Sequence, residues 1–287
     1  MNAAARLGGF AAILAVVAGV AVAVGAGLDP LREAGDGAGR GHDHGHEGGD
    51  APAHGGHGAA PAAEGLSLRP ERSELPRGRS AELAFRVVDR DGVPVTRFDA
   101  RHERGMHLIV VRSDLTGFQH LHPEMGGDGL WTTPIVLPEA GVHRAYADFS
   151  TGGSPAVLTA DLSVAGAVDP VPLPPPSAAA ETEGYRVELS APRMRAGDEA
   201  TLAYAITRDG APVADIRPYL GAGGHLVALR EGDLAFQHVH PRTETAAGGR
   251  ISFAASFPAA GRYRLFVQFL HDGAVRTAEH TVEVDPA

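Results

Sequence analysis

From residue 65 onward the chain is written in short apolar runs broken by Gly, Pro and Asp-Gly pairs. "AELAFRVV" (81–88), "MHLIVVR" (106–112) and "HRAYADF" (143–149) are short and rich in residues that suit a pleated surface. Their spacing predicts strands near 65–69, 80–89, 93–97, 106–112, 118–122, 130–137 and 142–149, closed by one at 156–164. No helical period appears in this part of the chain. The whole pattern then recurs. "AELAFRVVDRDGVPV" (81–95) matches "ATLAYAITRDGAPV" (200–213) after a one-residue deletion, and "LPEAGVHRAYADF" (137–149) matches "FPAAGRYRLFVQF" (257–269) after a two-residue insertion.

A strand about every ten residues, repeated over two blocks of about 100 residues, predicts an all-β protein of two tandem immunoglobulin-like β-sandwich domains. These occupy 65–166 and 185–287. In the second, Tyr263 in "AGRYRL" stands where such sandwiches place a corner tyrosine; the first carries His143 there. Residues 167–184 include "DPVPLPPPS" (169–177), which favours extended polyproline geometry and predicts a semi-rigid spacer between two separately folding units.

Residues 7–28 carry no charge and follow Arg6. As a helix they would span about 33 Å, which predicts a single-pass anchor over 1–29 with the remainder extracytoplasmic. A cleaved signal peptide, giving a secreted protein, is the alternative. Residues 30–64 hold 10 Gly and 5 His but no Phe, Trp, Tyr, Ile or Val, so they predict a disordered tether with nothing to bury. Its histidines, His42, His44, His46, His54 and His57, are candidate ligands for weak chelation.

Composition narrows the chemistry. The absence of cysteine removes disulfides, thiolate metal sites and cysteine nucleophiles. A net charge of −10 argues against nucleic acid as a partner. No nucleophile elbow, His-Glu-x-x-His helix or phosphate loop is present, so no enzymatic activity and no organic cofactor are expected.

One phrase is duplicated more closely than the rest. "HLIVVRSDLTGFQHLHP" (107–123) aligns without a gap on "HLVALREGDLAFQHVHP" (225–241), with 8 of 17 positions identical. Closing the first phrase as a hairpin around loop 113–116 pairs Arg112 with Gly117 and, counting outward, His107 with His122. Alternate residues share a face, so His107, His120 and His122 would crowd one face. The same count groups His225, His238 and His240. Three imidazoles suit copper or zinc and not Mg²⁺ or Ca²⁺, and Met106 and Met125 could add thioether ligands. The hairpin is also largely apolar, so the same histidines could serve packing alone.

The phrases "TRFDARHERGMHLIVVRSDLTGFQHLHPE", "PYLGAGGHLVALREGDLAFQHVHP" and "YRLFVQFLHDGAVRTAEHTV" resemble those of exported or membrane-anchored bacterial proteins with a duplicated His-Pro β-sandwich repeat. That family is often described as heavy-metal-binding, and is distantly similar to copper-resistance sandwiches of the bacterial envelope. The resemblance implies a membrane-anchored, extracytoplasmic protein that buffers or hands over a metal ion. An interaction module with structural histidines and an envelope protein partner is the alternative.

Overall fold

The computed structural model describes residues 65–100, 103–242 and 246–287, with only the backbone of His238, His240 and Ala247. The expected anchor and tether, with His42, His44, His46, His54 and His57, lie outside the described residues. No helix among the described residues is long and apolar enough to cross a membrane.

Repeat one runs through β1 (Ser67–Pro70), β2 (Glu74–Leu75), β3 (Ser80–Val88), β4 (Met106–Arg112), β5 (Gln119–Leu121), β6 (Glu124–Met125), β7 (Trp131–Val136), β8 (Gly141–Thr151) and β9 (Ser154–Val164). One sheet has the order β1-β3-β7-β6 and the other β2-β9-β8-β4-β5, with β2 parallel to β9. This is the immunoglobulin strand order, ABED facing GFC, with an extra strand at each end of the second sheet. The strand expected at 93–97 is reduced to an isolated bridge, Val88 to Pro94.

Repeat two contains β10 (Ala179–Thr182), β11 (Tyr185–Ser190), β12 (Glu199–Arg208), β13 (Ala211–Pro212), β14 (His225–Arg230), β15 (Phe236–Pro241), β16 (Arg250–Ser256), β17 (Gly261–His271) and β18 (Ala274–Val284). Here a single long β15 pairs with both β14 and β16, so one sheet continues round the edge in the order β10-β11-β12-β16-β15-β14-β17-β18. Repeat one uses the two separate strands β5 and β6 at the same place. The corner tyrosine is made: the Tyr263 hydroxyl donates to the Ala259 carbonyl at 2.8 Å. Gly141 and Gly261 precede the corner in both repeats with φ of 125° and 130°, a region that favours glycine.

Each repeat has its own apolar core. Leu83, Phe85, Leu108, Val110, Trp131 and Phe149 anchor the first, and Leu202, Phe253, Phe257, Leu265 and Phe269 the second. A third cluster joins them. Ile109, Val111, Leu115 and Tyr146 pack against Val227, Leu229, Leu234, Phe236 and Phe266. Every residue of β4 is buried: Met106, Leu108 and Val110 enter the repeat core, while Ile109 and Val111 face the other repeat. The continuous run "LIVV" is the sequence sign of a strand covered on both faces.

Two aromatic stacks mark the seam: Phe118 on Phe266 (4.1 Å between centroids, 9° between planes) and Tyr146 on Phe236 (5.1 Å, 27°). In the repeat alignment Phe118 corresponds to Phe236 and Tyr146 to Phe266, so the stacks are mates across a local two-fold relation. The Tyr146 hydroxyl also donates to the Leu234 carbonyl at 2.7 Å.

The proline segment is therefore more than the expected spacer. Arg112 Nη2 donates to the Asp169 carbonyl at 2.7 Å, the Val171 amide to Asp114 Oδ2 at 2.9 Å, and Leu173 packs into the seam cluster. The repeats pack against each other, and each carries a sheet with apolar residues on both faces. Leaving the outer faces in water would expose Ile109, Val111, Val227 and Leu229 together.

Candidate metal centre

The histidine hairpin forms in the counted register. Leu108 pairs with Leu121, Ile109 with His120 and Val110 with Gln119, which sets His107 across from His122 one step beyond the ladder. One ligand-capable atom from each of His107, His120 and His122 lies within 4.8 Å of the other two. The ring centroids are 5.2 Å apart for His107 and His120, 5.1 Å for His107 and His122, and 4.8 Å for His120 and His122. All three sit on the face that carries Ile109 and Val111, at the mouth of the seam.

Hydrogen bonds fix the tautomers. The Gln268 Nε2 group donates to Thr277 Oγ1 at 3.0 Å, so Gln268 Oε1 is left to accept from His120 Nδ1 at 2.7 Å. A neutral His120 then has its lone pair on Nε2, where it meets His107 Nδ1 at 3.0 Å. His107 Nδ1–H is thus the donor of that pair. His122 Nε2 is buried and has no hydrogen-bond partner among the described residues.

Two of the rings are held neutral. Burial pushes the His120 pKa well below the usual imidazole value, with the neighbouring histidines adding to the shift and the Gln268 bond opposing it. His122 is lowered to about 4, by burial first and then by His107 and the Arg104 charge. Neutral imidazole is the form that binds a metal ion. Asp148 is buried directly opposite His107 on β8, while Arg104 places a positive charge beside His122.

The methionines do not join. Met106 lies on the other face of β4, buried among Leu108, Val110 and Phe149, because neighbouring side chains in a strand alternate. Met125 belongs to β6 in the opposite sheet and is exposed. Without sulfur the donor set is nitrogen alone, which removes the reason to expect a preference for Cu⁺ and suits Zn²⁺ or Cu²⁺.

The second phrase also takes the counted register, with Leu226 opposite Val239 and Val227 opposite His238. His225 faces the first cluster across the seam. Its ring lies 5.9 Å from His120 and 6.3 Å from His107, and its Nε2 donates to the Tyr219 carbonyl at 2.9 Å. Two residues escaped the sequence reading, Gln268 and Tyr219, whose ring is 6.2 Å from His122. Neither belongs to the duplicated phrase, and only the docking of one repeat on the other brings them in.

The family described as Domain of unknown function (DUF8832) matches residues 62–166 and again 180–286. The chain belongs to this family. The double match puts one family domain on each repeat. No curated protein matches the chain. Among solved structures, Salmonella alpha-2-macroglobulin reacted with methylamine is similar at 17% identity over 81% of this chain and 15% of its own, with a TM-score of 0.28. The Escherichia coli adhesin FdeC aligns at 14% identity over 79% of this chain and 66% of its own (TM-score 0.27). Yersinia pseudotuberculosis InvD aligns at 14% over 79% and 59% (TM-score 0.26).

Proposed function

We propose that the protein is an extracytoplasmic metal-binding protein that holds Zn²⁺ or Cu²⁺ at the seam between its repeats, through His107, His120 and His122. One observation carries this reading: three ligand nitrogens converge within 4.8 Å at the mouth of the seam. The suppressed basicity of His120 and His122 keeps two of the three ready to bind near neutral pH. Zn–N bonds of about 2.0–2.1 Å arranged tetrahedrally set ligand nitrogens about 3.3 Å apart, so loading asks for a contraction of about 1.5 Å at most. His107 would also turn its Nδ1–H away from His120. Both changes are side-chain rotations on a fixed hairpin. Buffering or handover of the ion, anchorage by the uncharged run at 7–28, and a supplementary chelating role for the tether histidines complete the reading.

The second reading, an interaction module with structural histidines, is favoured by the hydrogen-bond chain from His107 through His120 and Gln268 to Thr277. That chain already gives these rings a packing role. The two readings part in a titration. The full chain with His42, His44, His46, His54 and His57 replaced by Ala should bind one Zn²⁺ or Cu²⁺ in competition with a chromophoric chelator. His120→Ala/His122→Ala in that background should abolish the binding. No uptake by the parent, or equal uptake by the double variant, leaves the packing reading standing.

A further inference from the structure

We propose that Gln268, contributed by repeat two, is a positioning residue for the metal site whose ligands come from repeat one, so that neither repeat holds a complete site. This deepens the metal reading above and rests on it. Metal-binding histidines characteristically donate their other ring N–H to a carbonyl or carboxylate, which fixes both the tautomer and the aim of the ring. Gln268 Oε1 fills that role for His120 at 2.7 Å, from 148 residues away along the chain. The glutamine is itself held. It is buried, sits on β17 opposite His225, and its amide donates to Thr277 Oγ1 at 3.0 Å. His120 is left with its Nε2 lone pair directed at His107, inside the triad.

A second group of potential ligands among the described residues, Asp215, His271 and Asp272, shows the contrast. His271 is engaged on both nitrogens, by the Tyr185 hydroxyl at 2.6 Å and by Asp215 at 2.8 Å, while Asp272 is held by Arg208 at 2.7 Å. That cluster is a satisfied ion-pair network. In the seam triad, by contrast, the buried His122 Nε2 has no partner among the described residues.

Linkage follows from the shared geometry. A site aimed by repeat two binds its ion best when the seam is docked, so the ion in turn favours docking. The test uses the full chain lacking the tether histidines and reads Zn²⁺ affinity by chelator competition, with melting in excess EDTA as the structural control. Gln268→Ala should weaken Zn²⁺ binding about 10–100-fold. Gln268→Glu, whose carboxylate accepts the same N–H, should restore it or exceed the parent. If the parent binds and both variants lower the EDTA melting temperature without moving Zn²⁺ affinity, Gln268 is merely structural and the proposal is overturned. If the parent itself takes up no Zn²⁺, the metal reading fails and this one with it.

Discussion

The hairpins β4–β5 and β14–β15 carry nearly the same words in different surroundings. In the first, Arg112 and Asp114 form a buried pair, with side chains 4% and 11% exposed, beneath the Asp169 carbonyl and the Val171 amide. In the second, Arg230 and Asp233 make the matching pair at 26% and 49% exposure. The loops differ as well. Leu115 and Leu234 both take the left-handed conformation (φ 67° and 59°) and both plug the seam, yet an ungapped alignment sets Leu115 against Asp233. The local two-fold relation is broken by the connection itself, because one strap leaving the end of repeat one can lie over only one of the two hairpins. Duplication thus supplies two equal surfaces, and the chain path decides which of them is covered.

Truncating the seam aromatics should break this comparison most strongly. Phe236→Ala removes a ring that is 1% exposed, and the expected loss is about 3–5 kcal/mol by chemical denaturation. Its mate Phe118 is only half-buried, so Phe118→Ala should cost about half as much. Equal losses would mean that the stacks contribute alike and that the asymmetry ends at the strap.

The ion pairs come next. Arg112→Ala strands Asp114, whose carboxyl is held well below its usual range chiefly by the Arg112 and Val171 hydrogen bonds acting against burial. Its expected cost is about 3 kcal/mol, whereas Arg230→Ala at the exposed copy should cost below about 1 kcal/mol. A ratio near one would show that burial under the strap adds nothing.

A further effect concerns pH. The folded-state pKa values of His120 and His122 lie below the unfolded value of about 6.5. As pH falls through 6.5 the unfolded chain therefore binds protons first. Stability that is fully present above that pH is lost on the way down to about 4. The slope is at most about 1.4 kcal/mol per pH unit for each ring kept neutral, and less for the partly exposed His122. Metal-free melting between pH 7.5 and 5 should show the decline, and His120→Gln/His122→Gln should flatten it. His143 and His280, also lowered by burial, contribute to the slope that remains. An unchanged slope in the double variant would assign the pH response to groups other than His120 and His122.

Much of the candidate site's geometry was legible in the sequence. Strand periodicity placed His120 and His122 on one face, and the hairpin count put His107 beside them, because register within a hairpin is a local property set by turn length. The error over Met106 was also local: it is the neighbour of His107 and so must face the opposite way. Met125 failed for a longer-range reason, since the chain crosses to the other sheet between Leu121 and Glu124.

The sequence by itself determined the all-β pattern, the duplication, the tyrosine corner at Tyr263 and the hairpin that gathers three histidines. Each depends on periodicity or on contacts a few residues apart. Only the tertiary structure decided that the two sheets meet, that the proline segment straps the seam, and that Gln268 and His225 face the first cluster. Those contacts join positions from 57 to 148 residues apart, and they follow from the need to cover the second apolar face of β4 and β14, a demand the sequence announces without naming the surface that meets it.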